Sequence, residues 1–480
     1  MTWCRSWRLV VPLCGLVVAM GCATPPAYVK PQSDLPTTWQ SELPWRAASP
    51  NDLQPKGRWW SVFADEQLNR LEEQALSGNQ TLAAASARLA QARAGVGVSS
   101  ASLFPQVTLG GRVARQKISA NRPLTNYAVA NLETTQSDFS TALSASYEVD
   151  LAGRVQSLVD GAVISAEQSA ADLENTKLVL GADLAFNYFN LQAVDADLDV
   201  LSKSIALQRR FLTLATYRHD LGATSGLEIA QQQAQLDATL AQVDLLKRQR
   251  AVFEHAIATL TGTPAPRFSL PARALPTVFP NVPVGVPSQV LESRPDVAMA
   301  ERAMAAANAQ IGVAQAAFFP SVTLGPTVGT DSNQWESLFN APSLLWSLGV
   351  SVTHTLFDGG RTKSNVEFAK AGYDVALANY RRTVLTAMQE VEDGISGLLA
   401  LERAHAQTLV AVQSAAHLLQ IATDRYEGGI ASYLEVVSAQ QAQINSERQA
   451  AQLAGQRLVG SVFLIKALGG AWQAPGVANY

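Results

Sequence analysis

A heptapeptide written twice constrains this chain more than any other feature. Phe104–Gly110 reads FPQVTLG and Phe319–Gly325 reads FPSVTLG, six of seven residues identical at an offset of 215. Each copy ends an Ala-rich stretch of helical spacing and opens a stretch of strict alternation. Later landmarks repeat at an offset of 207: Gly153-Arg154 with Gly360-Arg361, Arg218 with Arg425, Gly222 with Gly429, and Ser225–Glu228 with Ser432–Glu435. One unit written twice is the simplest account. The change in offset gives the first copy eight extra residues, read as lying in its loop at 119–136.

Within each copy the punctuation is physical. Proline lacks an N–H and pushes its predecessor out of the helical region, so Phe104-Pro105 and Phe319-Pro320 end helices. Period-2 alternation then predicts strands at about 105–118, 137–151, 320–330 and 343–357, each with one apolar and one polar face. Leu344, Trp346, Leu348, Val350 and Val352 share a face, for example, and Leu345, Ser347, Gly349 and Ser351 the other. A helix is expected from the Trp59-Trp60 region to about Ser102. Long helical patterns follow at about 154–221, 226–261, 361–427 and 432–468. The third of these shows heptad spacing through Tyr380, Val384, Ala387, Val391 and Ile395. A helix of that length spans about 100 Å, far beyond the globular norm. The boundaries so read are a first repeat at 61–261, a connector at 262–290, a second repeat at 291–470 and a tail at 471–480. Pro264, Pro266, Pro271, Pro276, Pro280, Pro283 and Pro287 keep regular structure out of the connector.

The N-terminus carries an address. Arg5 and Arg8 precede a short apolar run, Leu9–Met20, too short to span a membrane, and Ala19-Met20-Gly21-Cys22 resembles a lipobox. Residues 1–21 then form a lipoprotein signal peptide, Cys22 becomes the lipid-bearing first residue, and 22–60 is an extended lead. That covalent lipid is the only prosthetic group expected. Cys4, Cys14 and Cys22 are the only cysteines, so the chain beyond Cys22 closes no internal disulfide. A formal net charge of −4 and a pI near 5.8 leave no nucleic-acid footprint.

Four strands with one apolar face in an exported chain suggest a membrane barrel, since about 9–11 tilted residues cross a bilayer. Lipid tolerates no open sheet edge, and such barrels begin at eight strands. Four strands cannot close alone, so copies must pool them. Two copies give eight strands and a filled interior, three give twelve and a lumen; the small polar residues on the inner face favour three. A periplasmic β-sandwich, or a coiled-coil stalk for part of the helices, are the competing readings.

At this point the residues resemble a family. VPSQVLESRPDVAMAERAMAAANAQIGVAQAAFFPSVTLG, WWSVFADEQL, RYEGGIASYLEVVSAQ and KALGGAW are similar to signatures of TolC-like outer-membrane efflux proteins, in the lipoprotein branch serving resistance-nodulation-division pumps. The resemblance covers essentially all of the chain beyond Cys22. It implies a mixed membrane α+β fold: a homotrimer whose twelve strands form an outer-membrane barrel, continued by a long helical barrel through the periplasm. It also implies that the helix-hairpin tips, here Gly222, Ala223, Thr224, Ser225 and Gly428, Gly429, Ser432, meet a periplasmic adaptor joined to an inner-membrane pump. It places the periplasmic gate at Leu418, Asp424 and Arg425, with Arg425 the partner that relieves a ring of Asp424 carboxylates.

No catalytic constellation is visible. His219, His255, His354, His405 and His417 show no metal-ligand spacing, and no phosphate loop or nucleophile elbow occurs. The expectation is therefore no enzyme and no metal site, but a passive outer-membrane exit duct for small molecules such as drugs or toxic compounds. A type I secretion duct and a lipid-anchored scaffold without a pore are the alternatives.

Overall fold

The computed structural model describes Tyr28 and residues 57–121, 134–276, 279–280 and 293–470. Cys22, most of the 22–60 lead, the tip of the first hairpin loop, part of the connector and the tail at 471–480 lie outside the described residues. Two units divide the chain. One takes residues 1–31, 89–168 and 300–379; the other takes residues 32–88, 169–299 and 380–480.

The first unit holds the only sheet among the described residues. Strands β1 (Gln106–Ile118), β2 (Thr134–Val149), β3 (Ser321–Ser332) and β4 (Leu344–Thr353) pair antiparallel in the order β1-β2-β3-β4. Register brings alternate residues of all four strands to the same side. Leu109, Leu143, Val328 and Trp346 form one rung of that side; Thr108, Ser144, Thr327 and Ser347 form one rung of the other. On the polar side the Thr327 hydroxyl lies 3.3 Å from Ser144 Oγ. Strand β4 stops at Thr353, short of the expected 357. Its partner there is Ser321, and the residue before Ser321 is Pro320, which has no N–H to continue the ladder. Strand β2 has 16 residues against 10 in β4, so the first hairpin's added length sits partly in its strands and not only in the loop.

The helices are α1 (Glu66–Gly78), α2 (Gln80–Ser100), α3 (Arg154–Asp220), α4 (Gly226–Leu260), α5 (Pro295–Ala316), α6 (Arg361–Glu427) and α7 (Tyr433–Ala467). The uninterrupted helix expected from the Trp59 region to Ser102 is corrected. Trp59–Phe63 is a 3-10 turn, and Asn79 breaks the rest into α1 and α2. Asn79 is extended (φ −73°, ψ 126°), its Oδ1 accepts from Leu82 N–H at 3.0 Å, and its Nδ2 donates to Leu260 O at 2.9 Å. Asparagine competes well for such roles because its side chain mimics the backbone.

In the second unit the apolar core gathers Trp59, Trp60, Phe63, Leu68 and Leu71 with Leu184, Tyr188 and Phe189 of α3, Ile257 of α4, Val391 and Ile395 of α6, and Leu458, Val462 and Ile465 of α7. Each fully buried large side chain contributes about 1.5–3 kcal/mol. Asp65 caps α1 through Gln67 N–H (2.8 Å) and Leu68 N–H (3.2 Å), while its second oxygen accepts from Tyr188 Oη at 2.7 Å. One side chain thus starts a helix and binds it to α3.

Helices α3, α4, α6 and α7 end alike. Gly222, Gly262, Gly429 and Gly469 take φ of 74°, 73°, 73° and 83°, in the left-handed region that glycine enters without penalty. The next N–H in each case returns to a carbonyl five residues back: Ala223 to Arg218, Thr263 to Ala258, Ile430 to Arg425 and Gly470 to Ile465, at 2.8–3.0 Å. This closure satisfies carbonyls the helix leaves open.

Candidate channel wall and gate

The wall candidate is the sheet. Its apolar side is left uncovered: Leu109 is 77% exposed, and Trp346 and Leu348 are each 75% exposed. A soluble sheet would bury that side. Aromatic residues mark both ends of the band. Trp335 and Phe339 stand exposed in the β3–β4 loop, where Phe139 meets Trp335 edge-on at 5.8 Å. Phe104, Phe318, Phe319 and Phe357 stand exposed at the helix end of the strands. Aromatic rings at the margins of an apolar band are the pattern of a membrane-spanning sheet.

The gate candidate lies where α6 turns into α7. Leu418 is half exposed, and Asp424 and Arg425 are exposed. Within one chain the last two do not pair with each other. Asp424 Oδ1 accepts from Gln420 Nε2 at 2.8 Å, and Arg425 lies 3.8 Å from Glu435 of α7. Neighbours in sequence point about 100° apart on a helix and do not face each other, whereas residues four apart do. The two tips share one geometry. Ser225 and Ser432 are the extended residues just before α4 and α7, with Glu228 and Glu435 in the first turns. Around them Gly222, Ala223, Gly428 and Gly429 are exposed, as are Ser225 and Ser432, while Thr224 is half-buried.

Sequence reasoning missed the residues that tie one tip to the other. Tyr426 and Tyr433 are buried with ring centroids 5.4 Å apart, and Phe211 of α3 lies 6.5 Å from Tyr433. Arg218 of α3 sits 4.7 Å over the Tyr426 ring, and Tyr426 Oη donates to Glu228 of α4 at 3.1 Å. Burial, and then the charge of Glu228, raise the Tyr426 pKa, so the phenol stays a donor. The Tyr433 hydroxyl is buried without a partner. Two phenols flanking the glycines of RYEGGIASYLE were the available signal. This cluster makes a polar catch on an apolar seat, not a reaction centre. Among the described residues no group of His, Cys, Asp or Glu is placed to hold a metal ion, and no helix is long and apolar enough to cross a membrane.

Comparison with known proteins supplies the context. The family model described as "Outer membrane efflux protein" matches residues 71–263 and 286–470. The pyoverdine export outer membrane protein OpmQ of Pseudomonas putida is 32% identical over 467 residues, covering 97% of each chain. Among solved structures, the outer-membrane channel OprN aligns with a TM-score of 0.86 at 28% identity, covering 94% of this chain and 99% of that one. The CmeC outer membrane channel of Campylobacter jejuni aligns with a TM-score of 0.84 at 25% identity, covering 94% and 96%. An exposed apolar sheet face, paired 67-residue and 35-residue helices and a near full-length match together place this chain in the outer membrane efflux protein family.

Proposed function

We propose that this chain is the outer-membrane exit duct of a tripartite efflux pump, built as a homotrimer and passive in itself. One observation carries the reading: a four-stranded sheet whose apolar side is left exposed and whose edges, β1 and β4, each have only one partner strand among the described residues. Lipid solvates the apolar side, and three copies joined edge to edge give twelve strands with no edge left. The hydroxyl rungs then line a wet lumen. Adaptor and pump would engage the helix-hairpin tips, and a lipid on Cys22 would anchor the lead.

Matched contacts support reading the fold as two repeats. Asn79 and Arg294 each donate to the end of a 35-residue helix, at Leu260 O and Ala467 O. At Gly262 and Gly469 alike, an added Cβ would collide with a backbone carbonyl, of Gly78 and Ser293. Asp195 meets Arg250 where Glu402 meets Arg457.

The gate is the α6–α7 hairpin, and its closed position is held by Tyr426 on Glu228 and Arg218. Planar-bilayer conductance of the purified protein tests duct and gate together. The duct reading expects a trimer by mass and discrete conductance steps; a monomer that conducts nothing overturns it. Tyr426→Phe removes one hydrogen bond of about 1 kcal/mol and should raise the open fraction about fivefold. Conductance unchanged in that variant removes the tyrosine from the gate while leaving the duct standing.

A further inference from the structure

Glu72 of α1 is 1% exposed, and among the described residues neither of its carboxylate oxygens has a hydrogen-bond partner. It faces α3 at Gly181, where a Cβ would lie 3.0 Å from Glu72 Oε2 and 3.3 Å from Cζ2 of Trp59. Carboxyl and indole share the space that a missing side chain leaves. On its own helix Leu68, Leu71 and Ala75 are buried beside it. The ionisable groups of the elements around it are engaged elsewhere. Arg58, next to the Trp59 turn, pairs with Glu73 of α1 at the surface. Arg70 of α1 bonds Gln67. On α3, Lys177 bonds Glu174 at 2.7 Å, and Asp183 feels Lys466 of α7. Burial alone pushes the Glu72 pKa well above the usual carboxylate range, with no charge to offset it.

We propose that Glu72 is a proton-operated latch that holds the Trp59 turn and α1 against α3 only while its carboxyl is neutral. Loss of the proton to solvent leaves a bare anion in an apolar seat, and the least disruptive relief is for α1 and the turn to lift away until water reaches it. The sign follows from linkage. The folded pKa lies above the unfolded one, so this segment is most firmly held below about pH 4.3 and loosens as pH rises toward the folded value, with no further change beyond it. The Gly181 gap is what admits the group; a larger residue there would exclude it. The inference stands apart from the duct reading, because it concerns the core of one chain.

Heat unfolding and limited proteolysis of the full-length protein in detergent, from about pH 5 to about pH 9, test it. Wild type should lose about 5 °C across that range and be cut faster near residues 57–80, whereas Glu72→Gln should show neither trend and match wild type at about pH 5. Parallel pH profiles for the two proteins overturn the latch. Should the glutamine variant not assemble, Glu72→Met, which keeps the volume without a titrating group, carries the same comparison. A wild type whose midpoint does not fall on alkalinisation overturns the proposal whatever the variants do.

Discussion

Asn79 and Arg294 hold the ends of equivalent helices by different chemistry. Asn79 is self-sufficient: one amide caps α2 and reaches Leu260 O. Arg294 works inside a network. Its side chain, 7% exposed, reaches Ala467 O at 2.8 Å, Asp296 at 2.7 Å and Glu390 at 2.6 Å. The ion pairs on the long helices invert the contrast. Asp195 and Arg250, 3% and 18% exposed, meet at 2.7 Å, and Arg250 also holds Glu254 and Leu270 O. Glu402, 61% exposed, stands 3.8 Å from Arg457, whose guanidinium lies on the Phe279 ring at 3.7 Å. Each half therefore has one charged lock and one lighter contact, at opposite positions. Matched geometry does not imply matched energetics, because burial decides what a charge is worth.

Removing single side chains sharpens or breaks that contrast. Arg294→Ala strands two carboxylates against a helix end and should cost about 3–5 kcal/mol, read as the largest drop in unfolding midpoint. Asp195→Ala leaves Arg250 buried with only Glu254 and a carbonyl, and should cost about 3 kcal/mol by the same assay. Asn79→Ala loses a cap and a tertiary hydrogen bond, about 1–2 kcal/mol. Glu402→Gln should change stability by less than about 0.5 kcal/mol, since the carboxylate is solvated and loosely paired. A Glu402 effect as large as that of Asp195 would show the two halves to be energetically alike and end the comparison. The smallest effect concerns acid. His405, 3.1 Å from Arg457 and edge-on to Phe279, has its pKa lowered by burial and by that guanidinium. Its neutral form is favoured in the fold, so its contribution is complete above about pH 6.5 and is lost as pH falls below it. His405→Gln should flatten that slight acid sensitivity in a midpoint-versus-pH series.

The parts of the fold that local chemistry dictates were legible from residues alone. Pro105 and Pro320 mark the starts of β1 and β3, alternation assigns Trp346 and Leu348 to the apolar side, and Gly222 and Gly429 mark helix ends. The break at Asn79 was hidden because Leu71, Ala75, Leu82 and Leu89 keep helical spacing straight through it, and the reason for the break lies on α4. The candidate gate was half legible in its contacts. Leu418, Asp424 and Arg425 belong to a recognisable stretch, yet which residues touch depends on helices about 200 positions apart. Tyr426 meeting Glu228 is a fact of packing that no local pattern contains. Glu72, four residues after Leu68 and three before Ala75, falls by spacing inside the apolar stripe of α1; the bare Cα of Gly181 that makes room for it there was not legible.

Among the described residues, strands β1 and β4 leave rows of backbone donors and acceptors open beside an apolar surface. A freshly exported copy therefore offers a docking template to any extended chain it meets, correct or not. The time such a copy spends alone in the aqueous compartment, rather than the final stability of its helices, then sets how much is lost to clumping.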